Sequence, residues 1–166
     1  MRTQSVRRPQ ALMKNIVAIL VVVVLTGCAG TKSMKTQVTP FLMFEGKAEE
    51  AMNFYVSLFP ESRVISVSRY GPGEAGKEGT ILRADISLAG QSVICIDSPG
   101  KHDFTFTPAM SLFVDCTTEA QLETLFSKLS AGGQVMMPLD NYGFSRRFGW
   151  VSDRFGVSWQ LNLPNE

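Results

Sequence analysis

The segment TPFLMFEGKAEEAMNFYVSLFPESRV, residues 39–64, encodes a short strand, an amphipathic helix and the start of a second strand. The apolar run Pro40–Phe44 has the length of a short buried strand. After Gly46, apolar side chains recur at helical spacing until Pro60 ends the pattern, at Ala48, Ala51, Met52, Tyr55, Leu58 and Phe59. Charged side chains occupy the opposite side of this pattern, so the segment predicts a helix packed on a sheet.

Three further strands are predicted after this helix, at Ser62–Tyr70, Thr80–Leu88 and Gln91–Asp97. Ala89-Gly90 between the last two is typical of a tight hairpin turn. The first half of the domain therefore reads as a βαβββ module.

The same order then repeats. A strand is predicted at Ala109–Val114, and Thr118 with Gln121 three residues later forms a capping box that begins a helix. Gly132-Gly133 ends that helix, and three segments follow as strands, namely Gln134–Met137, Ser145–Val151 and Val157–Leu163, with a loop through Pro138 and Asn141. The sequence predicts an α+β fold of two tandem βαβββ modules that form a cleft between them.

Residues 39–64, with DRFGVSWQLNLP at residues 153–164, resemble a known family. Paired βαβββ modules are the hallmark of the vicinal-oxygen-chelate superfamily, which includes glyoxalase I, extradiol dioxygenases and antibiotic-resistance proteins. The two segments are similar to its PhnB-like branch, named for 3-demethylubiquinone methyltransferase. The resemblance covers nearly all of residues 38–164 and implies a small-molecule cleft and a homodimer. The sequence has no glycine-rich strand-to-helix turn that would hold S-adenosylmethionine.

Superfamily enzymes bind a divalent metal ion through four positions, one on the first and one on the last strand of each module. The resemblance places these positions at Pro40, near Asp97, at Ala109 and at Gln160. Proline and alanine supply no donor atom, which leaves Asp97 and Gln160 as weak metal ligands. We therefore expect a domain without a metal or other cofactor.

The last predicted strand alternates between an apolar face, with Trp159 and Leu161, and a polar face. The resemblance places Gln160 on the cavity side, which extends the candidate ligand-binding set to Gln160, Ser158, Asn162, Ser111, Phe113, Phe44, Arg83 and Asp97. Amides and hydroxyls around an apolar floor suit a small organic ligand. The alternative is that these polar side chains only face solvent.

The N-terminus resembles a bacterial lipoprotein signal. Four basic residues precede the ten-residue apolar run Ile16–Leu25, which is about half the length of a membrane-spanning helix. Leu25-Thr26-Gly27-Cys28 then matches a lipobox, which implies acylation of Cys28. We expect a signal peptide at residues 1–27, a tether at 28–36 and the domain at 37–166, anchored in the cell envelope and at the outer membrane where one exists.

Other patterns exclude function classes. The 166 residues contain 16 Lys and Arg against 15 Asp and Glu, a formal charge of +1, so no basic patch indicates nucleic acid. Gly71–Lys77 satisfies GxxxxGK, but Glu78 and a strand follow where a phosphate-binding loop needs Ser or Thr and a helix. The single histidine, His102, matches no ligand position and is expected to be a solvated loop residue.

Cys95 and Cys116 lie in apolar strand-like segments and are expected to be buried free thiols, with a disulfide between them as the alternative. Adjacent arginines at 146 and 147 point to opposite faces of a strand and are expected on its charged rim. The alternative is that one of them enters a pocket and forms an anion-binding or stacking edge with Trp150.

Three functions stay open on the sequence. The favoured one is a lipid-anchored, metal-free module that binds a small molecule. The alternatives are a metal-dependent lyase, isomerase or dioxygenase that uses Asp97 and Gln160, and a structural envelope lipoprotein without a ligand.

Overall fold

The computed structural model describes residues 36–165, which form two four-stranded sheets with one helix on each. The elements run in chain order as β1 (Phe41–Phe44), α1 (Ala48–Leu58), β2 (Arg63–Arg69), β3 (Ile81–Leu88), β4 (Gln91–Asp97), β5 (Leu112–Asp115), α2 (Glu119–Ser130), β6 (Gln134–Asp140), β7 (Arg147–Ser152) and β8 (Ser158–Leu163). Two consecutive βαβββ modules result, which confirms the predicted fold class.

The two sheets have the same topology. Module 1 has the strand order β1-β4-β3-β2, and module 2 has the order β5-β8-β7-β6. In each sheet the first and last strands of the module pair in parallel, with Leu42 opposite Cys95 and Val114 opposite Leu161, and the other pairs are antiparallel.

Each sheet has an inner face, which is covered by its helix, and an outer face on the opposite side. Alternation along the strands separates the two faces, since successive side chains point in opposite directions. The helices contribute small and apolar side chains to the inner faces, namely Ala48, Ala51, Met52 and Tyr55 from α1 and Leu122, Leu125 and Leu129 from α2. The inner faces of both modules belong to a single hydrophobic core.

The carboxylate of Asp153, which is 4% exposed, connects the two modules inside this core. The Tyr55 hydroxyl of α1 donates to Oδ2 at 2.7 Å, and the Trp159 indole donates to the same oxygen at 2.8 Å. The amides of Phe155 and Val157 donate to Oδ1 at 2.8 and 3.0 Å. Burial and the nearby Asp153 charge raise the pKa of Tyr55, so the phenol keeps its proton and remains a donor.

Sequence and structure differ most in β6. The predicted loop at Pro138 lies within this strand, which pairs only with β7 and has register shifts on both sides of Met137. Proline lacks an amide hydrogen and is accommodated on edge strands and at bulges, and both conditions hold here. The strand β5 begins at Leu112, three residues after the predicted start at Ala109.

Two local predictions are confirmed. Ala89 and Gly90 both have positive φ, +46° and +89°, as expected for a tight hairpin turn. The hydroxyl of Thr118 accepts the amide of Gln121 at 3.1 Å, while the Gln121 side chain reaches back to the amide of Thr117 at 2.9 Å.

The predicted signal peptide at 1–27, the acylation site Cys28 and the tether up to residue 35 lie outside the described residues. Within residues 36–165, neither helix has the length and apolar character needed to cross a bilayer.

Candidate functional site

The predicted polar face of the last strand forms the centre of the outer face of module 2. In the register of the sheet, Gln160 on β8 lies opposite Phe113 on β5 and Trp150 on β7. The Phe113 side chain is 57% exposed, whereas Gln160 and Trp150 are half-buried. A primary amide is therefore placed between two aromatic residues on an accessible sheet surface.

A hydrogen-bond network fixes this amide. Gln160 Nε2 donates to the Ser111 hydroxyl at 3.2 Å, and the two hydroxyls of Ser111 and Ser158 are 2.7 Å apart. The Trp150 indole donates to Ser158 Oγ at 2.8 Å. Within residues 36–165, Gln160 Oε1 accepts no hydrogen bond, so its carbonyl oxygen and one amide hydrogen are available to a ligand.

Asn162 is the next polar residue on the same face, and both polar atoms of its side chain already make hydrogen bonds within the protein. Its Nδ2 donates to Asp115 Oδ1 at 2.6 Å, and its Oδ1 accepts the hydroxyl of Ser145. Asn162 therefore orders the edge of the site and offers little further hydrogen bonding to a ligand.

The Gln160 network borders two cavities between the modules. A cleft of about 470 Å³ is lined by Ser111 and Phe113 of module 2 and by Pro40, Gln91 and Val93 of module 1. A smaller cavity of about 170 Å³ is lined by Ser111, Ser158 and apolar side chains. The modules thus leave clefts at their junction, and three of the predicted ligand-binding residues line them.

The outer face of module 1 has a different character. Phe41, Ile94, Asp85 and Ser66 are neighbours across its four strands, and the Phe41 side chain is 52% exposed. Arg83 donates to both oxygens of Asp85, from Nε at 2.9 Å and from Nη2 at 2.6 Å. This pair lowers the pKa of Asp85 and raises that of Arg83. Arg83 is on the outer face of the other sheet and lines neither of the two cavities beside Gln160.

Asp97 was predicted to contact a ligand, and the structure contradicts this. Its parity on β4 matches that of Val93 and Cys95, so it points to the inner face and is only 3% exposed. Oδ1 accepts the amide of Ala48 at 2.9 Å, and Oδ2 accepts the amide of Ile81 at 3.0 Å. The carboxylate caps α1, where the Lys47 side chain provides no cap.

Phe44 borders neither of the two cavities beside Gln160, although it lines a separate cleft at the connector between the modules. It is 4% exposed and packs against Phe106 and Phe155 with ring centroids 5.1 and 6.4 Å away. The outward positions of β1 are Phe41 and Met43, one residue out of step with the prediction. The run Phe41–Phe44 is wholly apolar, so no alternation in the sequence marks which side faces the core.

The superfamily's metal ion does not fit the residues present. Pro40 and Ala109 supply no side-chain donor, and Asp97 is buried with both oxygens bonded to amides. The neutral amide of Gln160 then remains as a single donor, which is too few for a metal site. No cluster of three or more His, Cys, Asp or Glu side chains suitable for a metal occurs in the described part of the chain.

The remaining predictions have mixed outcomes. Cys95 and Cys116 are buried free thiols, as favoured, and burial raises their pKa values to about 12 and about 11. The GxxxxGK segment joins two strands, β2 and β3, as expected. Arg147 donates to Glu119 and Glu123 of α2, so it stays on the rim and does not enter a pocket.

His102 is exposed, as predicted, but it has specific contacts. Its Nε2 lies 2.6 Å from the Ser98 hydroxyl, and its ring stacks on Phe104 with centroids 4.8 Å apart. The sequence reasoning also missed the role of Trp150, which it considered only as a stacking edge. The alternation of β7 against β8 would have placed Trp150 beside Gln160.

Comparisons with known proteins agree with this architecture. Residues 36–162 match the family described as 3-demethylubiquinone-9 3-methyltransferase. Protein YjdN of Escherichia coli is 23% identical, over 77% of this chain and 95% of its own.

Solved structures extend the comparison. A putative 3-demethylubiquinone-9 3-methyltransferase, PhnB protein, from Bacillus cereus is 57% identical over 77% of this chain and 99% of its own, with a TM-score of 0.75. A glyoxylase/bleomycin resistance protein/dioxygenase domain from Frankia, 15% identical over 80% of this chain and all of its own, has a TM-score of 0.57 and shares the fold.

Proposed function

The chain belongs to the 3-demethylubiquinone-9 3-methyltransferase family within the glyoxalase-like superfamily, and we propose that it is a metal-free binding protein for a small organic molecule. One observation carries this proposal. The Gln160 amide is held by Ser111 on an accessible face, yet it keeps a free acceptor and a free donor hydrogen. Polar groups fixed beside an apolar surface are typical of small-molecule sites.

The neighbours of Gln160 define the ligand class. Phe113 and Trp150 flank the amide, and no charged side chain makes a hydrogen bond to Gln160, Ser111 or Ser158 within residues 36–165. An uncharged ring that presents adjacent donor and acceptor atoms would pair with the amide and lose little solvation energy. A full carboxylate or phosphate would find no counter-charge in this network.

A second copy of the chain is proposed to complete the site. The outer faces of both modules expose aromatic side chains, Phe41 at 52% and Phe113 at 57%. In a symmetric dimer, the face of module 1 in each copy can cover the Gln160 face of the other, which buries both aromatics. Phe41→Asp and Phe113→Asp should each convert the dimer to monomers in analytical ultracentrifugation, and a dimer that survives both changes would exclude this arrangement.

The domain is proposed to be tethered to a bacterial envelope membrane through acylated Cys28, by the resemblance of residues 25–28 to a lipobox. Cys28→Ser should abolish acylation and lipoprotein cleavage. A variant that still fractionates with membranes as a processed species would disprove the anchor.

The binding proposal is tested with 2-pyridone, a planar uncharged ring with an N–H donor beside a carbonyl acceptor. An NMR titration of the full chain should give saturable shifts at Ser111, Phe113 and Gln160. Gln160→Ala should weaken this binding by roughly 5- to 150-fold, since each of the two lost hydrogen bonds contributes about 0.5–1.5 kcal/mol. N-methyl-2-pyridone, which lacks the donor, should bind more weakly to the unaltered chain.

Gln134→Ala provides the matched control, because it removes an exposed glutamine amide from the edge strand β6. Binding of 2-pyridone that resists Gln160→Ala would refute the Gln160 site. Metal titration of the same samples distinguishes the enzyme alternative: micromolar affinity for Mn²⁺, Ni²⁺ or Zn²⁺ that depends on Gln160 would favour it over a metal-free binder.

A further inference from the structure

A cleft of about 900 Å³ lies at the connector between the modules, and none of the residues of the Gln160 network lines it. Aromatic rings from three separate parts of the chain form its walls, namely Phe41, Phe44, Phe104, Phe106 and Phe155. Phe104 is 66% exposed, so ring surface is accessible within it. The volume is sufficient for a drug-sized molecule.

Negative charge predominates among the side chains that line this cleft. Three carboxylates, those of Glu45, Glu50 and Asp103, face two cations, Lys47 and Arg154. Glu50 is paired with both, at 3.1 Å from Lys47 Nζ and 3.6 Å from Arg154 Nε, and its pKa is lowered mainly by the hydrogen bond from Lys47. Within residues 36–165, neither Glu45 nor Asp103 has a cationic side chain within 4.0 Å.

A hydrogen bond fixes the Glu45 carboxylate at the connector, and Asp103 and Phe104 line the same cleft. Glu45 Oε1 accepts the main-chain amide of His102 at 3.2 Å, which ties the connector to the end of β1. His102 is in turn held by the Ser98 hydroxyl and stacks on Phe104 with centroids 4.8 Å apart. The connector thus positions Phe104 directly after Asp103, with one face of its ring supported.

The cleft already contains one contact between a cation and aromatic rings. The guanidinium of Arg154 lies 4.0 Å from the centroid of Phe54 and 4.6 Å from that of Phe155. Aromatic faces attract cations through their quadrupole, and a carboxylate nearby adds a charge attraction.

We propose that this cleft is a second ligand site, which binds organic cations with an aromatic or alkyl surface through Phe104 and the carboxylates of Asp103 and Glu45. Glu45 and Asp103, which have no cationic partner in the described part of the chain, select against anions, because a bound anion would face uncompensated negative charge. The aromatic walls select against small hydrated cations, which would lose water without covering apolar surface.

Benzyltrimethylammonium tests the proposal, with phenylmethanesulfonate as the anion of similar size and tetramethylammonium as the cation without a ring. All three are titrated into the full chain, and amide shifts of residues 102–104 are followed by NMR. We expect saturable shifts with benzyltrimethylammonium and at least tenfold weaker binding of the other two. Equal binding of the sulfonate, or no saturable shift with benzyltrimethylammonium up to ~10 mM, would overturn the proposal.

Variants then locate the site. Asp103→Asn and Phe104→Ala should each weaken the binding of benzyltrimethylammonium by roughly fivefold, and Lys47→Gln should strengthen it. Glu78→Gln removes the same charge from an exposed position outside the cleft and should have no effect. Gln160→Ala should also leave this binding unchanged, so the two proposed sites fail or succeed separately. Binding that is insensitive to both Asp103→Asn and Phe104→Ala would refute the site.

Discussion

The two modules repeat one order of elements, but their buried carboxylates serve different purposes. Asp97 in module 1 accepts two amides, those of Ala48 and Ile81, both from its own module. Asp153 in module 2 accepts four donors, including the Tyr55 hydroxyl of module 1. The first carboxylate therefore shapes a helix terminus, and the second holds the modules together.

The two modules therefore share a topology, but their buried carboxylates are stabilised by different sets of hydrogen bonds. Both carboxylates are nearly inaccessible, 3% and 4% exposed, so each depends on its donors to offset the loss of water. Their different donor sets predict different effects on stability when either carboxylate is removed.

The largest effect is expected for Asp153→Ala, which leaves two amides, a phenol and an indole without an acceptor. The free energy of unfolding should fall by about 3–5 kcal/mol, measured by urea denaturation followed by tryptophan fluorescence. Asp140→Ala on the exposed end of β6 serves as the control and should change it by less than about 0.5 kcal/mol. A loss of under about 1 kcal/mol for Asp153→Ala would break the proposed contrast between the modules.

Asp97→Ala should have a smaller effect, about 2 kcal/mol, because two amides lose their acceptor. It should also weaken the N-terminus of α1, so amide hydrogen exchange should accelerate in its first turn before it does in α2. An effect equal to that of Asp153→Ala would show that the two carboxylates are equivalent after all.

Tyr55→Phe isolates the part of the Asp153 contribution that crosses between the modules. It removes one donor and leaves the indole on the same oxygen, so we expect a loss of about 1–2 kcal/mol in urea denaturation. In an Asp153→Ala background the same change should cost less, since its acceptor is gone. Additive losses would indicate that the Tyr55 hydroxyl stabilises the protein independently of Asp153.

The smallest expected difference between the modules is in the reactivity of their buried cysteine thiols. Burial raises the pKa of Cys95 to about 12 and that of Cys116 to about 11, from an ordinary value of 9.0. Stability due to the protonated thiols is complete below pH 9 and is lost as pH rises towards these values. Native-state alkylation by iodoacetamide at pH 8 should be slow at both, with Cys116 faster, and rapid labelling of Cys95 would contradict its burial.

The sequence allowed the order of elements along the chain to be predicted from its strand and helix patterns. It also allowed the outer face of β8 to be predicted, because Trp159 and Leu161 alternate with Ser158 and Gln160. It did not allow the orientation of β1 to be assigned, since four consecutive apolar residues offer no alternation. Asp97 was misassigned because a carboxylate at a strand end was taken as a ligand, although its parity with Cys95 places it inside.

The aromatic cleft could not be predicted from the sequence at all. Phe41, Phe104 and Phe155 are far apart in the chain, and no periodic pattern relates a connector to a strand and a hairpin loop. Only the packing of the modules on each other places these rings together.

The contact between Tyr55 and Asp153 has a kinetic consequence. The two residues are separated by 98 positions in the chain, and closing a loop of this length costs about 4 kcal/mol of entropy. Local hairpins such as β3–β4 close at far lower entropic cost and can form while the modules are still apart. Joining the modules should therefore follow the rate-limiting barrier, so that loss of the Tyr55 hydroxyl accelerates unfolding and leaves the rate of folding nearly unchanged.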